Sequence, residues 1–309
     1  MLTVFVCIAA LLLDAFLGEP RRLHPLALFG TLASRVEQRL NTEGADVSTG
    51  LLAAAIVIVP PVLLAAVLTL ALPPAALVVT EIVVLCLALG QRSLAEHAGA
   101  VARPLAAGDL TSARRAVAAM VSRDAERLDA QGVAGAASES VLENGADAVF
   151  ASLFWYALAG LPGLVLHRLV NTLDAMWGYR TPRFSRFGRC VARLDDGLNW
   201  VPARLTALAY AMVGRTPTAL WCWYVQAREW ESPNAGPVIA AGAGALEVTL
   251  GGPAPYHGGW RDRPWLGEGD APDAATPMAA VALVRRAVML WVVAILLGGL
   301  AWSLITAGG

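Results

Sequence analysis

Lysine is missing from this chain altogether: each of its 23 cationic side chains is an arginine. That absence excludes chemistry through a Schiff-base lysine, and it excludes a Walker-type phosphate loop, which needs Gly-Lys-Ser/Thr. Arginine suits bidentate capture of carboxylate and phosphate, although a GC-rich genome produces the same bias. Charge is also scarce. Only 15% of the 309 residues are charged and 57% are hydrophobic, a balance typical of membrane proteins. The net charge of −1 supplies no field for holding a polyanion, so no nucleic-acid role follows. Cys7, Cys86, Cys190 and Cys222 lie far apart, with neither metal-ligand spacing nor the density of a disulfide framework, and read as packing residues.

What the chain has in abundance is apolar text. Runs occur at 2–17, 51–72, 75–89, 149–170, 201–225 and 287–305. A spanning helix needs about 20 such residues. The second and last runs meet this easily, and the short first and third do so with their polar ends in the interface. The first run lacks a basic n-region and a small-residue cleavage site, and Arg21 and Arg22 follow it, so it reads as an anchor rather than a cleaved signal. Pro73-Pro74 marks a tight turn between the second and third runs, making them a membrane hairpin. Gly160-Leu-Pro-Gly163 interrupts the fourth run, and Gly214-Arg-Thr-Pro217 the fifth. Helix breakers at membrane depth need protein or water to satisfy their backbone, so 149–170 and 201–225 read as re-entrant or interfacial hairpins.

Arginine placement bears on this. Segments 18–50, 90–148 and 226–286 hold 15 arginines, and segment 171–200 holds five. Two crossings by the fourth and fifth runs would place 171–200 outside, against the positive-inside tendency; with neither crossing, all four segments share the cytoplasmic face. The second arrangement is preferred. The expected fold is therefore an all-α polytopic integral membrane protein, one membrane-embedded domain over 1–309. It has about four true transmembrane helices (2–17, 51–72, 75–89, 287–305), and its polar segments 18–50, 91–148, 171–200 and 226–286 carry the site. Within 91–147, an apolar period through Ala113, Val117, Met120 and Val121, with Asp109 as a cap, predicts soluble helices. Segment 226–286 reads as loop-rich.

Glu139, Glu143 and Asp147 recur every fourth residue and stand in one column on a helix. Like charges so spaced cost about 0.2–0.5 kcal/mol per pair. Either this is the solvated face of a surface helix, or a divalent metal, an arginine or a cationic ligand offsets the repulsion. Further polar clusters interrupt the apolar text. They are Asp14 to His24-Pro25; Ser122-Arg123-Asp124; Asn171 with Asp174, Tyr179 and Arg180; Asp195-Asp196, Asn199 and Arg204; and Ser232-Pro-Asn-Ala-Gly236 with Gly251–Tyr256. Each alone is commonly structural. Together they offer carboxylates and amides for Mg²⁺, arginines for phosphate, and turns whose backbone N–H groups suit an anion.

These pieces, in this order along nearly the whole chain, resemble the CobD/CbiB cobalamin-biosynthesis proteins, the adenosylcobinamide-phosphate synthases. The matching text is Leu13-Asp-Ala-Phe-Leu-Gly-Glu-Pro20 with His24-Pro25, Ser122-Arg-Asp124, Glu139–Asp147, Leu153-Phe-Trp155, Val170–Arg180, Arg193–Arg204 and Ser232–Gly236. Glu19 stands where Asp is usual, and Gly145 where a Thr-like residue is common. The resemblance implies an inner-membrane ligase of the late corrin pathway, with its polar site facing the cytoplasm. It would join adenosylcobyric acid to (R)-1-amino-2-propanol phosphate or ethanolamine phosphate, with ATP and Mg²⁺, with other enzymes of that pathway as candidate partners. On that reading Glu139, Glu143 and Asp147, with Asp174, are the candidate Mg²⁺ ligands, and Arg123, Arg180 and Arg204 capture phosphate or carboxylate. Asp195 or Asp196 takes the proton of the attacking ammonium. Asn144, Asn171, Asn199 and Asn234 orient substrate, and His24, Tyr179, Ser232 and Gly236 belong to the binding region. The column and the 171–180 cluster should serve one site, which requires the fourth run to fold back at Gly160–Gly163. A permease or sensor for an anionic ligand is the competing reading, with Arg215 in its pathway.

Overall fold

The computed structural model describes residues 1–18, 24–256 and 259–307; Glu19, Pro20, Arg21 and Arg22 of the first polar cluster lie outside the described residues. The contacts divide the chain into two compact units. The first, here the N-unit, is Leu2–Gly90 with Ala151–Val201, and the second, the C-unit, is Gln91–Phe150 with the chain from Pro202 onward.

The N-unit contains α1 (Leu2–Leu17), α2 (Pro25–Leu40), α3 (Val47–Ala71), α4 (Pro74–Ala88), α8 (Ala151–Trp177) and the start of α9 (Arg189–Val213). His24 begins α2, its Nδ1 accepting from the Leu26 N–H at 3.2 Å, so it is a helix cap. Asp46 begins α3 by accepting from the Thr49 N–H at 3.0 Å. Pro73-Pro74 forms the expected turn, with Pro74 opening α4 where its missing N–H costs nothing. The arms then diverge in their packing: α3 lies on α8 and α2, and α4 on α1 and α8. Phe29, Val57, Leu173, Trp177 and Phe187 fill the core, and Gly50 brings α3 so close to the Phe187 carbonyl that a Cβ would sit 1.9 Å from it.

The C-unit contains α5 (Gln91–Ala106), α6 (Leu110–Val117), α7 (Ala130–Asn144), a π-helical turn (Gly145–Phe150), the end of α9, α10 (Thr216–Gln226), α11 (Ala235–Leu246) and α12 (Thr276–Ala307). Asp109 caps α6 through the Ser112 N–H at 3.0 Å, and Ala113 and Val117 bury against Val101, Val133 and Ala137 with Met120 and Val121 alongside, as the apolar period predicts. Segment 226–286 is more ordered than its Gly and Pro content suggests. Its α11 is buried through Ala245, with Gly242 seated against Leu142 and Gly244 against Ala219. Two short antiparallel ladders follow, β1 (Leu250–Gly251) with β4 (Trp265–Leu266) and β2 (Ala254–Tyr256) with β3 (Gly259–Arg261).

Among the described residues, four stretches are long and apolar enough to cross a bilayer: Val47–Ala71, Pro74–Ala106, Ala130–Trp177 and Thr276–Ala301. The chain is thus an all-α polytopic membrane protein. Two details differ from the sequence reading. Helix α1 has 16 residues, short of the roughly 20 that a crossing needs. And Ala130–Trp177, though long, is not a continuous rod. At Ala159 and Gly160 the backbone leaves helical geometry, and Gly160 adopts φ 60°, ψ −152°. A Cβ on Gly163 would lie 2.8 Å from the Trp155 carbonyl oxygen, whereas eight helical residues would separate the two by about 12 Å. The chain therefore doubles back here, where the sequence places the fold of a hairpin. The fifth run is likewise two helices, α9 and α10, and Arg215 between them is exposed and paired with Glu247 at 3.3 Å. That position does not suit the charge of a buried pathway.

Candidate functional site

The candidate residues fall into two groups, one in each unit. In the C-unit the centre is Glu139, only 3% exposed, on α7. Its carboxylate accepts from Arg123, from Arg263 Nη2 at 2.5 Å, and from the Gly251 N–H at 3.1 Å. Both arginines are largely buried. The short ladders of segment 226–286 assemble this arrangement: β1 carries Gly251, β2 ends in Tyr256 beside Arg123, and the link from β3 to β4 carries Arg263. The Asp124 N–H donates to the Pro255 carbonyl at 3.0 Å, tying the loop of Arg123 to β2. Arg263 also lies 4.4 Å above the Trp230 ring, a cation–π contact. Two cations around one carboxylate leave the cluster one positive charge in excess.

This changes the reading of the carboxylate column. Of the offsets considered for its repulsion, arginine is the one that meets Glu139. The column is also broken geometrically, because α7 ends at Asn144 and Asp147 lies in the π turn, where bonds run i to i+5 rather than i to i+4. Tyr210 explains part of that widening: its hydroxyl donates to the Leu142 carbonyl at 3.1 Å. Among the described residues, no group of three or more His, Cys, Asp or Glu is arranged to hold a metal ion. Glu139, Glu143 and Asp147 therefore do not fit a preformed Mg²⁺ cage. Asn144 turns its amide back to Ser140, at 2.8 Å from the carbonyl and 3.0 Å from the hydroxyl, and so fastens the end of α7.

The Ser232–Gly236 turn is also internally committed. Ser232 Oγ accepts from the N–H groups of Asn234 (3.3 Å) and Ala235 (3.2 Å), which start α11. Arg204 donates to Asn234 Oδ1 at 2.9 Å and to the Pro233 carbonyl at 3.0 Å. Gly236 is required because a Cβ would meet the Ala227 carbonyl at 2.3 Å. These backbone donors hold the helix start rather than an anion.

A cavity of about 480 Å³ opens over the Arg123–Glu139–Arg263 cluster, lined also by Glu143, Asn144, Tyr256, Arg261 and Asp262. A second, of about 730 Å³, shares Arg123 and Glu139 and is walled by Trp260, Trp265 and Pro272.

In the N-unit the polar residues form a chain of hydrogen bonds. Asn199 Nδ2 donates to Asp195 Oδ2 at 3.0 Å, Asn171 Nδ2 approaches Asp195 Oδ1 at 3.4 Å, and Arg168 donates to Asn171 Oδ1 at 3.2 Å. His167, fully buried, places Nε2 2.9 Å from Asn199 Oδ1. Because Asn199 spends its donor on Asp195, the histidine carries its proton on Nε2. Burial pushes the Asp195 carboxyl up to about 6, against the pull of the Asn199 and Asn171 amides. Burial raises Asp196 too, with Arg180 opposing. Asp174 sits at the end of α8, where Gly178 packs so tightly that a Cβ would lie 2.1 Å from Asp174 Oδ1. Tyr179 and Arg180 are exposed.

Arg263 and His167 lie outside the sequence-derived set, and Tyr256 enters it only as the end of the Gly251–Tyr256 turn. For His167 a signal existed, an ionisable residue inside an apolar run. For Arg263 the only cue was its place in the Trp260–Trp265 stretch.

Helices long and apolar enough to span a bilayer, with a buried arginine–carboxylate cluster under a polar cavity, define a polytopic membrane protein with a charged cavity. Residues 7–295 match the family model described as CobD/Cbib protein, and the chain belongs to that family. It is 56% identical over 294 residues to the "Cobalamin biosynthesis protein CobD" of Stutzerimonas stutzeri, covering 94% of this chain and 96% of that one. The protein of the same name from Chromobacterium violaceum is 50% identical over 295 residues (91% and 92% covered), and that of Mycobacterium tuberculosis is 42% identical over 282 (89% and 88%). No solved structure matches.

Proposed function

We propose that this protein acts in cobalamin biosynthesis as an amide synthase. It would join the free carboxylate of adenosylcobyric acid to the amine of an amino alcohol phosphate, at a site facing the cytoplasm from the inner membrane. The observation that carries this reading is the buried Arg123–Glu139–Arg263 cluster beneath a cavity of mixed charge. Forming an amide from a carboxylate and an ammonium ion requires the carboxylate to acquire a leaving group and the ammonium to lose a proton. ATP, as a co-substrate, would supply a phosphoryl group for the first task. The arginines would bind the phosphate and carboxylate oxygens in geometry that needs no rearrangement as charge develops. Glu143 on the cavity wall is suited to the second. With no carboxylate cage among the described residues, Mg²⁺ stays in the proposal only as the partner of the phosphate groups it arrives with.

The test is direct. Purified protein with adenosylcobyric acid, aminopropanol phosphate, ATP and Mg²⁺ should yield adenosylcobinamide phosphate by mass spectrometry. Glu143→Ala should abolish product. Unchanged substrates with correctly folded protein would defeat the assignment.

A further inference from the structure

We infer that the C-unit carries a binding site for an anionic phospholipid, its acyl chain in a groove between α9 and α12 and its phosphate at Arg204 and Arg228. Neither the Arg123–Glu139–Arg263 cluster nor the reaction proposed above enters into it.

The groove is a cavity of about 370 Å³ with only apolar residues along its wall, and it falls within the size range of small-ligand sites. From α9 come Leu205, Leu208 and Met212, at i, i+3 and i+7, and from α12 come Leu290, Ala294 and Ile295, at i, i+4 and i+5. Each helix thus presents one stripe to the groove. Between Leu205 and Met212 the stripe runs about 10 Å at 1.5 Å per residue, room for a stretch of acyl chain. Trp291 fixes part of the wall, its ring centred 5.2 Å from that of the buried Phe150. Leu208 and Met212 are exposed, which water penalises and hydrocarbon does not.

The polar end begins one residue away. Arg204 precedes Leu205 and shares a stripe with Leu208 and Met212, at i+4 and i+8. It lines a neighbouring cavity of about 380 Å³ together with Arg228, Trp223 and Tyr224. On α10, Tyr224 is 77% exposed and Trp221 56%. Exposed Tyr and Trp on a membrane protein mark the headgroup level of the bilayer. Arginines, aromatic rings and the start of the apolar stripe therefore meet where a phospholipid changes from head to tail.

Charge selects the head. Two arginines and one acid, Glu231, line the 380 Å³ cavity, and the surplus of one positive charge is what a phosphodiester cancels. A headgroup with its own cation, as in phosphatidylcholine, leaves that surplus in place. Arg204 is anchored through Asn234 Oδ1 and the Pro233 carbonyl, so its guanidinium is held in one orientation before any lipid arrives.

Native mass spectrometry of the full chain tests this, with the protein released from nanodiscs of phosphatidylglycerol and phosphatidylcholine in equal parts. Wild type should retain phosphatidylglycerol over phosphatidylcholine by about tenfold or more, each arginine at an anionic headgroup being worth about fivefold. Arg228→Ala, at an exposed position, should cut that preference about fivefold. Arg204→Ala should do the same, and where loss of its bonds to the Ser232–Gly236 turn prevents folding, Arg228→Ala carries the test. Ala294→Phe fills the groove and should lower retention of both lipids, whereas Leu70→Ala, exposed on α3, should change nothing. Equal retention of the two lipids, a preference for phosphatidylcholine, or a ratio untouched by Arg228→Ala would overturn the site. So would displacement of the lipid by inorganic phosphate, which would make the arginines a site for free anions. A doubled protein mass that Ala294→Phe abolishes would put a second copy of the chain in the groove and overturn it too.

Discussion

Arg263 Nη2 donates to Glu139 Oε2 at 2.5 Å although 124 residues separate them in the chain. With Arg123 on the same oxygen, Glu139 is the anion that allows two guanidinium groups to be buried side by side. Removing one partner from such a cluster is far more costly than its net contribution, because the remaining charges stay buried without compensation. Glu139→Gln should therefore lower stability by about 3–5 kcal/mol. Glu143→Gln, at a half-buried position, should change it by no more than about 0.5 kcal/mol. Thermal melts of both variants in one detergent give the comparison.

The reversal in α8 depends on Gly160, whose φ of 60° with ψ of −152° is a region that only glycine enters readily. Gly160→Ala should destabilise by about 1–3 kcal/mol. Gly163→Ala should also be harmful, since its Cβ would come within 2.5 Å of the Ala159 Cβ. Gly197 in α9 is the control: nothing lies within 4 Å of an added Cβ, and Gly197→Ala should stabilise by about 0.5–1 kcal/mol. A drop in Tm for the first two variants with a small rise for the third is the expected pattern.

How far these features were legible in the sequence depends on the range of the interaction. Asp109 as a cap, the buried face through Ala113 and Val117, and the break at Gly160 each rest on residues within a few positions of one another, and all were readable. The helix α11 was not, because its Ala and Gly content reads as loop until small side chains are seen letting it press against Leu142 and Ala219. The partner of Glu139 was not readable either, since no local spacing links position 139 to position 263. The column at 139–147 failed for a different reason. It assumed α-helical periodicity throughout, and a hydroxyl from Tyr210 meets the chain where that periodicity ends.

That hydroxyl yields a prediction of its own. Tyr210 is fully buried, its OH donates to the Leu142 carbonyl, and its ring lies 5.8 Å from Phe150 in an edge-on contact. Tyr210→Phe keeps the ring and deletes the donor, leaving a buried carbonyl at the start of the π turn without it. The Leu142 carbonyl keeps the Gly145 N–H, so the cost should be about 0.5–1.5 kcal/mol. Hydrogen exchange should show the amides of 145–150 losing protection ahead of those in α7.

Asp195 gives the pH dependence. Its neighbours are the amides of Asn171 and Asn199, the Asp196 carboxylate and the Arg168 guanidinium, and burial outweighs them, taking its carboxyl from 3.8 to about 6. A carboxyl whose affinity for protons is higher in the folded state stabilises that state while both states are protonated, below about pH 4. As pH rises, the unfolded chain releases this proton first, so the contribution falls through the window from 3.8 to about 6 and is gone above it. The loss amounts to about 3 kcal/mol at most, from 1.36 kcal/mol per unit. Asp195→Asn has no proton to release at this position, so the difference in Tm between wild type and variant should move steadily in favour of the variant between pH 4 and pH 7. A difference that stays constant across that range would mean that Asp195 ionises as freely in the folded protein as in water, and its candidacy as a proton acceptor with raised affinity would end there.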